Sequence, residues 1–141
     1  MDLQEIKKTI LECVDKRSDE IIELGKRIYD NPETGYKEFK TANIVAEKFH
    51  QLGVNFIQLE DIPGLKMTID TGKEGPGLAV IGELDAIVCA EHPHSDKKTG
   101  AVHACGHNAQ IATMVGTAMA LLDSGLIDKL SGKIHFIAVP A

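Results

Sequence analysis

Leu78-Ala-Val-Ile-Gly-Glu-Leu-Asp85 decides the fold class. Leu78 to Ile81 is a continuous apolar run of strand length. Such a run predicts a strand buried on both faces, as in an α/β sheet covered by helices. It ends in Gly82-Glu-Leu-Asp85, which places two carboxylates two residues apart at a strand's C-terminal end. In open α/β sheets, ligands bind at that end of the strands.

Working downstream, Ile87 to Thr99 has no regular period. With His92-Pro-His94, Asp96, Lys97 and Lys98 it reads as a long polar loop, a length that is more often functional than not. Its histidine pair reads as exposed surface. Gly100-Ala-Val-His-Ala-Cys-Gly-His-Asn108 follows and runs straight into Ala109 to Leu122. That segment is apolar nearly all round, so the expected helix is buried, lying flat against the sheet. Ser124-Gly125 ends it, and Lys133 to Val139 is the last expected strand.

Working upstream, Leu65 to Asp70 alternates and predicts a strand, and Val54 to Leu59 a shorter one. Thr71 to Gly77 is a glycine-rich turn that matches no phosphate-binding pattern. Glu38 to Leu52 predicts a helix with Phe39, Ala42, Val45, Ala46 and Phe49 on its apolar face and Gly53 at its stop. Asn31 to Gly35 is a turn, and Glu33, Tyr36 and Glu38 read as its exposed polar rim and cap. Asp2 to Tyr29 carries a helical stripe, with Ser18 placed to cap a second segment if the helix divides.

The 141-residue chain has 43% apolar and 26% charged residues, an ordinary globular composition that fits one domain. A net charge of −6 argues against a nucleic-acid partner. The charge-dense N-terminus has no apolar signal region, and no apolar run reaches membrane-spanning length. A cytoplasmic protein without a membrane partner is expected. Cys13, Cys89 and Cys105 form no disulfide framework.

Cys105 and His107 carry the chemistry. At two-residue spacing in a turn, a thiolate and an imidazole suit Zn²⁺, or Mn²⁺, Co²⁺ or Ni²⁺. The structural alternative is a buried cysteine beside a helix-capping histidine. His103 reads as a third ligand or as a pocket residue that donates to a carboxylate such as Asp85 or Glu83. Asp85 supports a metal site or caps the strand end. Asn108 is the expected N-cap of the following helix. A redox-active Cys105 ranks last, because no resolving cysteine stands at CxxC spacing.

Gly82-Glu-Leu-Asp-Ala86 followed by His103-Ala-Cys-Gly-His-Asn108 resembles the M20 family of metal-dependent peptidases and amidohydrolases. The likeness is to its HxCGH(D/N) branch, with aminoacylase-like, N-acyl-amino-acid and aminobenzoyl-glutamate hydrolases. Asn31-Pro-Glu-Thr-Gly-Tyr-Lys-Glu38 is similar to a further element of the family. The resemblance implies an incomplete three-layer α/β/α sandwich with a mixed, zinc-peptidase-like sheet. Residues 1–141 would be the N-terminal portion of the catalytic domain, without the lid and dimerisation domain through which a homodimer would form. It implies one or two divalent ions, Zn or Mn with Co or Ni admissible, with Cys105 and His107 as ligands and Asp85 in support. Glu83 stands where other branches carry a histidine ligand. The implied substrate is an N-acyl amino acid or a small peptide-like amide. The glutamate base and remaining ligands would lie past Ala141, leaving this chain alone inactive. The alternative is a non-catalytic module on the same scaffold with at most a weak Cys/His metal site. Departures are Ile87-Val88 where the family usually reads Leu-Pro, the longer Cys89–Thr99 loop, and Asn108 for the commoner Asp.

Overall fold

The computed structural model describes residues 1–141. Three helices lead the chain: α1 (Leu3–Lys16), α2 (Ser18–Tyr29) and α3 (Phe39–Gln51). Strands β1 (Phe56–Gln58), β2 (Leu65–Asp70) and β3 (Gly77–Glu83) follow, then a short hairpin of β4 (Ile87–Val88) and β5 (Ala101–Val102). Helix α4 (His107–Asp123), a 3₁₀ turn at Ile127–Lys129 and strand β6 (Lys133–Val139) complete it.

The N-terminal stripe does divide. Asp2 caps α1 through a reciprocal capping box with Glu5. The break falls at Arg17, and Ser18 is not the expected cap, because it is the first helical residue and no side chain caps α2. Arg17 instead bridges outward. Its Nε and Nη2 donate to Asp123 at 2.7 and 3.1 Å, and its Nη1 to Glu20 at 2.8 Å. Lys48 Nζ meets the other Glu20 oxygen at 2.7 Å, so α2, α3 and the end of α4 share one charge network.

The main sheet has the order β1-β2-β6-β3. β6 runs antiparallel to β2, with Met67 opposite Phe136, and parallel to β3, with Val80 opposite Phe136. The sheet is therefore mixed, in an α/β fold. Leu65, Met67 and Ile69 of β2 alternate into the core beside Phe136 and Ala138 of β6. Ile111, Met114, Val115 and Met119 of α4, with Val45 and Phe49 of α3, close the same core.

α3 and α4 pack on this one face of the sheet, and α1 and α2 lie against α4. The opposite face is bare: Ile57 is 66% and Ile81 54% exposed. An apolar hollow of about 310 Å³ lies there, lined by Ile57, Leu59, Ile62, Ile137, Val139 and others. Burial of Leu78–Ile81 on both faces is thus corrected. β3 is an edge strand that pairs only with β6, and within residues 1–141 no helix layer covers its outer face. This is the incomplete state of the sandwich. Phe39 is also exposed, at 44%, because it opens α3 before the helix meets the sheet. The expected irregular loop after Asp85 is bracketed by β4 and β5, whose register pairs Ile87 with Val102. Asp96 ties it together by accepting from the Lys98 and Thr99 amides and the Thr99 hydroxyl, which holds its carboxyl below the ordinary range.

Candidate functional site

The parallel pair β3 and β6 ends in register, with Glu83 opposite Val139 and the Leu84 amide donating to the Val139 carbonyl at 2.9 Å. Asp85 therefore leaves the sheet at the strand end where the sequence pattern puts it. Gly106 turns the chain back at φ 98°, a left-handed conformation that suits glycine, and α4 begins at His107. Gly106, not Asn108, is the cap residue of α4. The Asn108 side chain donates instead to the Gly25 carbonyl at 3.3 Å, tying α4 to α2. Gly82 lets α4 settle closely on β3, since a Cβ there would stand 2.7 Å from Ile111 Cδ1.

His107 is held between two carboxylates. Its Nδ1 lies 2.6 Å from Asp85 Oδ1 and 3.1 Å from the Asp85 carbonyl oxygen. Its Nε2 lies 3.1 Å from Glu83 Oε2. Gln110 fixes Glu83 in turn: its Oε1 accepts from the Glu83 amide at 2.6 Å and its Nε2 donates to Glu83 Oε2 at 3.3 Å. With Nδ1–H donated to Asp85, Nε2 faces a carboxylate, and that contact calls for a cation: a second ring proton or a bound metal ion.

His103 lies under this pair, only 4% exposed, and neither ring nitrogen has a hydrogen-bond partner. Burial pushes its pKa below the ordinary histidine value, against the opposing pull of Asp85 and Glu33. Cys105 is exposed, so the alternative of a buried structural cysteine does not hold. Cys13 is buried, and Cys89 is half-buried. His92 and His94 stack at 5.8 Å in the β4–β5 loop, with His94 also against Tyr29, and are separate from His107.

Glu83, Asp85, His103 and His107 thus come together at the strand ends, while Asn108 faces α2. No three His, Cys, Asp or Glu side chains converge in an arrangement able to hold a metal ion. Of the residues expected to hold a metal, Cys105 is an exposed free thiol and His107 is an imidazole oriented by Asp85 with Glu83 at its other nitrogen.

Of the two carboxylates read as turn rim and cap, one does cap and the other is buried. Glu33 caps α3 from outside the helix, its Oε2 accepting from the Thr41 amide and hydroxyl, both at 2.8 Å. Glu38 is fully buried. Their place in the similar family element was the available signal; turn chemistry alone concealed it.

No family model matches the chain. It is 34% identical to a thermostable carboxypeptidase of Saccharolobus solfataricus over its whole length, covering 36% of that protein. It is 29% identical to an IAA-amino acid hydrolase of Arabidopsis thaliana, covering 99% of this chain and 33% of that one. A Bacillus subtilis crystal structure described as a dinuclear metal binding peptidase from the M20 family superimposes with a TM-score of 0.75 at 25% identity, covering 87% of this chain and 35% of that one. The chain has the sequence and fold of the N-terminal region of an M20 amidohydrolase. It spans about a third of the length of the curated relatives it matches. No helix of this M20 chain is long and apolar enough to cross a membrane.

Proposed function

We propose that the intact protein containing this chain hydrolyses amide bonds of N-acyl amino acids or small peptide-like substrates, with one or two divalent ions. The Asp85–His107–Glu83 arrangement carries the reading. A carboxylate-oriented imidazole at the end of parallel strands is the half of a metal site that one segment can supply. Cys105 and His107 would be ligands, with Zn or Mn the ions best suited to that pair. A bound ion supplies an acidified water and polarises the scissile carbonyl. Asp85 keeps the His107 proton on Nδ1, so that Nε2 presents its lone pair to the site. Gln110 keeps the Glu83 carboxylate beside that nitrogen, and buried His103 walls the site from below. In the net reaction water oxygen bonds to the carbonyl carbon, the C–N bond breaks, and the amine leaves with a proton.

Residues 1–141 bring together no complete ligand set, and we propose that they have no turnover alone. The test compares a chain of the relatives' length with residues 1–141, each loaded with Zn²⁺ or Mn²⁺ and given N-acetyl amino acids, with amine release measured. Chelator-sensitive turnover by the longer chain alone is the expected result. Turnover by the short chain, or turnover by the long chain that survives chelation, overturns the reading.

A further inference from the structure

The connector between α2 and α3 bridges the ends of both parallel strands. The Glu33 carbonyl accepts the Ala86 amide at 2.7 Å, directly after Asp85. Two residues on, Gly35 packs against the end of β6 so closely that a Cβ there would collide with the Ala141 carbonyl oxygen. Tyr36 holds φ at 60°, a left-handed conformation that side chains adopt only under constraint. Glu38 then turns inward, and its Oε1 accepts the Ala141 amide at 3.4 Å.

Glu38 does not serve its own helix. Its side chain makes no cap bond to α3, because Glu33 accepts the amides of Lys40 and Thr41. Glu38 is fully buried, and its Oε2 has no donor in reach. An unsatisfied buried carboxylate oxygen is costly, so packing alone does not account for the residue. An apolar side chain of the same size would fill the space with less penalty.

We infer that Glu38 is a positioning residue, which clamps the backbone leaving β6 at Ala141 beside the Asp85 strand end. In a chain of the relatives' length, residues following Ala141 would leave the sheet from a backbone that Glu38 orients. The kinetic consequence rests on the amide-hydrolase reading above; the backbone consequence does not.

The discriminating variants are Glu38→Met, which keeps the volume and removes the acceptor, and Glu38→Gln, which keeps one acceptor. Both are made in a chain of the relatives' length. Hydrogen exchange is read on the peptide ending β6, and kcat and KM on an N-acetyl amino acid. Glu38→Met should leave Tm unchanged or higher and speed exchange around Ala141 about fivefold to tenfold, the loss of one net hydrogen bond. It should lower kcat about tenfold or more, with KM nearly constant, as misplacement of site groups does. Glu38→Gln should restore both toward wild type. Wild-type exchange in Glu38→Met overturns the clamp, as does slow exchange lost equally in Gln and Met. Faster exchange with unchanged kcat overturns the link to the site. If the wild-type enzyme releases no amine, the hydrolase reading fails, and the exchange measurement still decides the clamp.

Discussion

Gly82→Ala tests the close seating of α4 on β3. A Cβ at Gly82 would stand 2.7 Å from Ile111 Cδ1 and 3.3 Å from Met114 Sδ. Ile111 and Met114 are 0% and 1% exposed, so neither can swing into solvent to make room. Overpacking a core by a methyl group costs about 1–3 kcal/mol. Ile111 Cδ1 is the far end of a side chain, and the clash is partly relieved by a rotamer change. The lower part of that range applies, about 1–2 kcal/mol. For a domain of this size the loss corresponds to roughly 3–8 °C in Tm. The assay is urea denaturation of residues 1–141 followed by circular dichroism, with the variant's midpoint lowered and its m-value unchanged. Gly82→Val should cost more than alanine, since its branched side chain meets both neighbours. A midpoint for Gly82→Ala equal to or above wild type would refute the close seating of α4 on β3, and with it the reason His107 reaches the strand end.

Phe136→Ala removes a fully buried core ring from the strand between β2 and β3, and should cost about 3–5 kcal/mol, visible as loss of most of the cooperative transition. Asp85→Asn in the intact enzyme should weaken divalent-ion binding about 10- to 100-fold by calorimetry, since the His107 ring loses the carboxylate that fixes it. Unchanged affinity would remove Asp85 from that role. Lys48 and Arg17 hold the Glu20 carboxyl below its ordinary range, and Arg17 does the same for Asp123. A depressed folded-state pKa gives stability that is present above the ordinary carboxylate range and lost as pH falls through the folded value. The urea midpoint should therefore fall as the pH is lowered past the ordinary carboxylate values of 4.5 and 3.8. Arg17→Met should flatten that drop, and an identical acid profile in the variant would discount the network.

Periodicity carried most of the fold. Leu65 to Asp70 alternates because one face of β2 meets α3 and the core, and Lys133 to Val139 falls where β6 forms. The run Leu78–Ile81 misled about burial because apolarity records the strand's suitability for covering, while residues 1–141 leave its outer face open. Gly106 was hidden as the α4 cap by the stronger propensity of Asn108, since no local pattern showed that Asn108 would be drawn to Gly25 on another helix. In the site, Asp85 and His107 are 22 residues apart in sequence, and the seating of α4 on β3 brings their side chains to 2.6 Å. Glu38 was the least legible residue. The amide it accepts from, that of Ala141, lies 103 positions away in the sequence.

The place of β6 constrains how this chain folds. β2 and β3 do not pair with each other; each pairs with β6, which lies some fifty residues after β3 in the chain. During synthesis the three leading helices can form early, but both sheet neighbours wait with open edges until residues 133–139 emerge. The sheet then closes through two long-range pairings in one step, a topology that slows folding. For that interval β3 stands unpaired and β2, joined only to β1, keeps one edge open, the condition under which nascent chains aggregate and need a chaperone.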